Sequence, residues 1–451
     1  MTDVVIVCEH PGLHSGFATV GRQVARSLHA RGVRVRYVAR YPGPASTRAE
    51  PYEVFEVDHV GDRSAENEAR LARVLASAAA ADASGHGPPV LLIGALWQHA
   101  EVLSALAQDP PSGIGSVIAY LPVDAAPLPP KAGPTLEPVD VVVPYNAFGA
   151  EVLRRSEVTA RITPPVPHGV DTDAFAPLAD DERRAVRRGR FDLGDDELLV
   201  GYFGRNCGHK HPDLVLRIFA AWVNGGTARC PGCAALVELP SHPVTGEHGT
   251  LHHCPHCGGC GPFAPQPART GARLYLHTEL LTARQRRISG GWDLERIARR
   301  LGVADRVEFE PSLRFGHGVT TTELARRMAA CDVHVLPYEA GAWELTVLET
   351  AACGVPNVIT DAAAPPGYAA PFSLLVPPMM RLHAPIGARA FADVGRSVEA
   401  LERLAGDPAR RQRLGRRGIE VARAHRWDRI GASWLEVLRS TLAGTAGTAP
   451  G

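Results

Sequence analysis

Leu198-Leu199-Val200-Gly201-Tyr202-Phe203-Gly204-Arg205 starts, midway along the chain, a pattern that has already run once through the first half. An apolar run ends at a glycine and a cation, and a stretch of helical spacing follows, Asp213–Trp222. Working backward, Val4–Val7 leads into Ala18–Ala30, where Val20, Val24 and Leu28 share one face. Val33–Val38, Val90–Ile93, Val117–Leu121 and Val139–Val143 follow. Working forward, the runs are Leu274–His277, Arg306–Phe309, Val333–Leu336 and Asn357–Thr360. Short, continuously apolar runs suit parallel strands buried on both faces. Strands alternating with helices predict doubly wound α/β sheets.

A chain of 451 residues is too long for one ordinary core. The restart at Leu198 therefore predicts two Rossmann-like domains, over 1–180 and 195–415. The charged stretch Asp180–Arg190 reads as a helix plus linker. The Arg-rich tail Val394–Leu442 reads as helical, with a terminal helix over 416–442.

Hydrophobic residues make up 45% and charged residues 21%, the balance of a water-soluble globular protein. Lys plus Arg and Asp plus Glu are both 48, so no overall charge recommends nucleic acid or an anionic membrane as partner. The start reads as a buried strand rather than a signal peptide, and no run reaches the length of a membrane span. A cytoplasmic location is expected.

Five of the nine cysteines fall between positions 230 and 260. Cys230-Pro-Gly-Cys233 and Cys254-Pro-His-Cys257 are two C-x-x-C knuckles suited to a tetrahedral Zn site. Cys260, His252, His253 and His256 are alternatives for the fourth ligand. The ribbon spans 226–268, and its expected hairpin pairs Ala234–Leu239 with Gly249–His252. Such a closed site predicts a structural zinc, with contact to an acceptor or partner as the alternative role.

Gly204 and Arg205 end a strand, and Lys210 follows. In a doubly wound domain such a mouth holds phosphate, and two cations there stabilise a departing diphosphate. Further on, Gly341-Ala342-Trp343-Glu344-Leu345-Thr346-Val347-Leu348-Glu349 opens a helix near Leu345. The N–H groups of Leu345 and Thr346 would face an anion, and Glu349 has the reach to accept from both hydroxyls of a ribose. Taken singly, the cation pair reads equally as solvated surface, and Glu349 as a salt-bridged helix residue.

Taken together, these residues resemble the retaining GT-B glycosyltransferases of family four. Gly204-Arg205 with Lys210 is similar to that family's phosphate clamp. Leu348-Glu349-Thr350-Ala351-Ala352-Cys353-Gly354-Val355-Pro356 is similar to its signature helix. His168-Gly169-Val170-Asp171-Thr172-Asp173-Ala174-Phe175 is similar to its turn closing the first domain. Leu274–Thr278 and Gly291–Leu294 also match some members.

The resemblance implies two facing Rossmann-like domains with a nucleoside diphosphate sugar in the cleft, and a hexosyltransferase-like enzyme. Arg205 and Lys210 would grip the diphosphate, and Glu349 the ribose. The Gly16 loop would lie near the donor phosphate, and the terminal helix would cross back to the first domain. One departure concerns the signature's earlier glutamate, whose position is Gly341 here; Glu344 is the candidate replacement. Asp124 stands where the family often has a histidine and is the polar candidate there. His14, Trp97, Gln98 and His99 are further cleft candidates. A GT-B sugar-nucleotide epimerase, and a non-catalytic sugar-nucleotide or nucleic-acid binding protein, remain the alternatives.

Overall fold

The computed structural model describes residues 2–41, 43, 49–57, 65–79, 87–94, 103, 114–239, 245–246, 249–250, 252–315 and 318–446. Strands β1 (Asp3–Cys8), β2 (Arg34–Ala39), β3 (Glu53–Glu56), β4 (Val90–Ile93), β5 (Val117–Leu121), β6 (Val141–Pro144) and β7 (Arg161–Ile162) form one parallel sheet. Its order is β3-β2-β1-β4-β5-β6-β7. The central runs Val4–Val7 and Val90–Ile93 are wholly buried, as helix-covered parallel strands must be.

A second sheet starts at β8 (Leu198–Phe203). Six short strands of the insertion follow: β9 (Thr227–Arg229), β10 (Leu236–Glu238), β11 (Thr245–Gly246), β12 (Gly249–Thr250), β13 (His252–His253) and β14 (Cys260–Gly261). The sheet resumes with β15 (Ala272–His277), β16 (Val307–Phe309), β17 (Val333–Leu336), β18 (Asn357–Thr360) and β19 (Ser373–Val376). It is parallel, in the order β16-β15-β8-β17-β18-β19. Counted from its own first strand, this repeats the order of the first sheet. In both, the order reverses beside that strand, and loops at the carboxyl ends of β1, β8 and β17 border the crevice where doubly wound sheets take ligands.

Two elements near the end were not legible in the sequence. Strands β20 (Met380–Ala384) and β21 (Gly387–Phe391) form an antiparallel hairpin. The expected tail helix over 416–442 is divided between two helices, Pro408–Ala424 and Trp427–Ala446. The first of these stays pressed on the second half, where a Cβ on Gly415 would lie 2.2 Å from the Gly354 carbonyl oxygen.

The Trp427–Ala446 helix packs elsewhere. Trp427, Ile430, Trp434 and Leu438 share a core with Val20, Val24 and Leu28 of the Gly16–His29 helix. The Ser27 hydroxyl donates to the Trp427 carbonyl at 3.0 Å. Between the sheets, Val170 N–H donates to the His425 carbonyl at 2.8 Å. His168 is buried among Tyr120, Tyr145, Trp343 and Trp427, and burial pushes its imidazole down to about 3. It is therefore a neutral packing residue where the two halves meet. No helix among the described residues is long and apolar enough to cross a membrane.

Candidate active site and four-thiolate cluster

The Gly204–Lys210 loop leaves the carboxyl end of β8, and Gly204 N–H donates to the His277 carbonyl at 3.2 Å. A Cβ on Gly204 would meet the Tyr202 hydroxyl at 2.8 Å, so the loop needs a glycine where it turns out of the sheet. Asn206 fixes the far side, its amide donating to the carbonyls of Glu279 at 3.0 Å and Trp292 at 2.9 Å. Arg205 is thereby left exposed, and its guanidinium has no partner among the described residues.

Lys210 does have a partner: its Nζ lies 2.5 Å from Oε1 of Glu344. Glu344 is buried and precedes the Leu345–Ala352 helix. Its N–H donates to the Tyr368 hydroxyl at 3.0 Å, and Tyr368 stacks on Trp343 with ring centroids 4.2 Å apart. Burial raises the Glu344 carboxyl above the usual range, opposed by Lys210 and reinforced by Asp124. Gly341 provides the room for this carboxylate.

Glu349 lies one turn into the helix, half-buried, and its carboxylate has no hydrogen-bond or ion-pair partner among the described residues. Burial pushes it up to about 7. Leu345 and Thr346 occupy the first turn, with no side-chain cap on their N–H groups. Gly16 faces this turn across the cleft, where a Cβ would lie 3.7 Å from Cδ1 of Leu345. Gly16 is placed by Ser15, whose hydroxyl caps its helix by accepting from Ala18 N–H at 3.0 Å. His14 lies against the second half as well: a Cβ on Gly318 would come within 2.8 Å of its ring.

Asp124 follows β5 and is committed to the loop before Glu344. Its Oδ1 accepts from Ala342 N–H at 2.9 Å, and its carbonyl accepts from Gly341 N–H at 3.1 Å. Asn146 donates to the Ala342 carbonyl at 2.6 Å. Two residues of the first half thus hold the main-chain N–H and C=O of one residue of the second. Asn146 is legible as a helix N-cap, accepting from Gly149 N–H at 2.8 Å, but its reach across the cleft is not. Trp97, Gln98 and His99 lie outside the described residues.

The sequence also missed the support behind the Gly204–Lys210 loop. His211 lies 3.3 Å from Asp213 and 2.8 Å from Glu339. Burial alone would lower its imidazole; the two carboxylates outweigh that and raise it to about 9.

In the insertion, the sulfurs of Cys230, Cys233, Cys254 and Cys257 all lie within 4.8 Å of one another. Two of the Sγ···Sγ separations are 3.6 Å, close to the roughly 3.8 Å between ligands of a tetrahedral zinc thiolate site. The residues therefore fit a four-thiolate zinc. Cys260 is exposed and outside this group, His252 lies against Phe263, and His256 lies 3.3 Å from Asp393. The expected pairing of Ala234–Leu239 with Gly249–His252 is corrected. Each knuckle instead turns its own hairpin, β9 with β10 and β13 with β14. Closing a knuckle requires its flanking residues to pair with each other, which leaves none for the longer hairpin. The ribbon is docked on the Val394–Ala405 helix, where a Cβ on Gly395 would sit 2.0 Å from the Leu236 carbonyl oxygen.

Two facing parallel α/β sheets, with a cationic loop and an uncapped helix start on one and a glycine loop on the other, define the GT-B class of fold. Residues 277–380 match the model of the family Glycosyl transferases group 1. A D-inositol 3-phosphate glycosyltransferase of Streptomyces bingchenggensis is 26% identical over 299 residues, covering 65% of this chain and 51% of that protein. The chain spans about half the length of the curated relatives it matches. Among solved structures, sucrose-phosphate synthase from Thermosynechococcus elongatus superposes with a TM-score of 0.69 at 18% identity, covering 98% of this chain and all 100% of that one. HepE of Anabaena, solved in complex with UDP and glucose, gives 0.64 at 13% identity, covering 98% and 100%.

Proposed function

We propose that the protein is a retaining glycosyltransferase. It moves a sugar from a nucleoside diphosphate sugar to an acceptor hydroxyl. The observation that carries this reading is the pairing of unpartnered groups at one crevice: the Arg205 cation at the mouth of β8, and the Glu349 carboxylate on the helix that follows the neighbouring strand β17. The first suits a diphosphate and the second a ribose. The bond from the anomeric carbon to the β-phosphate oxygen breaks, and a bond to the acceptor oxygen forms on the same face. Arg205 and Lys210 stabilise the charge growing on the leaving diphosphate, and a phosphate oxygen takes the acceptor proton. Glu344, held at Lys210, would contact the donor sugar.

The relatives' name makes a phosphorylated cyclitol a candidate acceptor, and the UDP complex of a fold neighbour makes UDP the first nucleotide to try. The four thiolates hold a structural zinc, which suits the reducing cytoplasm. Incubation with UDP-sugars and an inositol phosphate tests the reading. Glycoside and free UDP are the expected products, and their absence across all common nucleoside diphosphate sugars and acceptors contradicts it.

A further inference from the structure

The hairpin β20–β21 bridges the two halves of the molecule. At one end of β21, Ala388 N–H donates to the Ala126 carbonyl of the first half at 2.9 Å. A Cβ on Gly387 would lie 2.6 Å from that of Ala125, so the backbones touch there. At the other end, Ala390 N–H donates to the Glu339 carbonyl at 3.0 Å, and Glu339 N–H donates to the His209 carbonyl at 3.0 Å. The ring of Phe391 lies 6.1 Å from that of His211. The strand therefore runs from the phosphate loop to the opposite wall of the cleft.

Arg389 sits between these anchors. Neighbouring side chains on a strand point to opposite faces. Ala390 is buried in the core of the second half, so Arg389 is turned away from that core. It is half-buried and has no hydrogen-bond or ion-pair partner among the described residues. The nearby carboxylates are already taken: Glu344 by Lys210, and Glu339 and Asp213 by His211. Loss of solvent, then the charges of Lys210, Arg389 and Arg205, push the His209 imidazole down to about 3. A half-buried guanidinium beside other cations, with these three carboxylates occupied, lacks a paired counter-charge. A guanidinium in that state binds phosphate oxygens in a two-pronged contact.

We propose that Arg389 is a binding residue for a phosphoryl group held between the two halves, on the side of the phosphate loop that faces Ala125–Ala126. This rests on the donor-site reading given above. The phosphoryl group belongs either to the donor diphosphate or to a phosphate monoester on the acceptor.

Calorimetric titration of UDP, and of inorganic phosphate with and without saturating UDP, tests this on wild type, Arg389→Ala, Arg389→Lys and Arg205→Ala. Arg389→Ala is expected to weaken one of the two ligands by about tenfold or more, with Arg389→Lys in between. Loss on UDP assigns the donor diphosphate. Loss on phosphate in the UDP-saturated protein assigns the acceptor monoester. Arg389→Ala binding both ligands as wild type does, with an unchanged unfolding temperature, overturns the proposal. Arg205→Ala keeps the two readings apart, since it must weaken UDP whatever Arg389 does. Should wild type bind none of the common nucleoside diphosphates, the donor reading fails, and inorganic phosphate alone still decides on Arg389.

Discussion

The Glu344 carboxylate occupies the space that a side chain at Gly341 would need: a Cβ there would lie 2.3 Å from Oε1 of Glu344. A glutamate at 341 and the observed Glu344 conformation are therefore mutually exclusive. The loop carries its acid three residues later and presents it to Lys210. Gly341→Ala is expected to cost about 1–3 kcal/mol of stability by overpacking a buried carboxylate. Adding Glu344→Ala removes the clash, so the double variant recovers much of that loss in urea unfolding. Strictly additive costs would mean that the two positions do not compete for space.

Glu349 is expected to make nucleotide binding pH-dependent. Its carboxyl, pushed up to about 7 by burial, is half protonated near neutrality. Accepting two ribose hydroxyls favours the ionised form, so binding releases a proton around pH 7 and weakens as pH falls below it. Without nucleotide the sign is opposite: the raised value makes ionisation cost stability, and that cost grows as pH rises from the ordinary glutamate range through about 7. Calorimetry in buffers of different ionisation enthalpy reads the proton release, and Glu349→Gln is expected to abolish it. Proton release unchanged in that variant would assign it elsewhere.

Asp124 acts as a clamp on Ala342 N–H rather than as a free base. Asp124→Asn keeps an oxygen for that bond and is expected to stay near wild-type turnover. Asp124→Ala leaves the peptide unheld and costs about 1–3 kcal/mol, the usual price of an unmet buried donor. Steady-state kinetics separates the roles, because a catalytic base would be lost equally in both variants.

The main strands of both sheets were legible because each is buried on both faces and so reads as a continuous apolar run. The edge strands β3, β7 and β19 were not: Glu53 and Glu56 bound the first, the second is Arg161–Ile162 alone, and Leu374 and Leu375 of the third are only partly buried. The Gly204–Lys210 loop and the Glu349 helix were legible because strand, glycine, cation and helix follow one another locally. The contacts that cross the cleft, Asp124 and Asn146 to Ala342 and Gly387 to Ala125, join residues remote in sequence, and no local pattern encodes them. The hairpin β20–β21 escaped because it exposes Met380 and Leu382 and lacks clean alternation.

Zinc removal should act on stability more than on nucleotide binding. Leu236 of the ribbon belongs to the large core of the second half, and Gly395 lies against its carbonyl. Cys254→Ser with Cys257→Ser is expected to lose about one zinc per chain by elemental analysis and to lower the unfolding temperature. UDP binding should persist below that temperature, because Arg205, Lys210 and Glu349 lie on loops and a helix of the parallel sheet. Full metal content and unchanged unfolding in that variant would contradict a four-thiolate zinc.

Sugar transfer with retention is settled by proton NMR of the linkage formed from an α-configured UDP-sugar and a phosphorylated cyclitol. The expected product is an α-linked glycoside with UDP released in equal amount. A β-linked glycoside, or an epimerised nucleotide sugar with no glycoside, would contradict it.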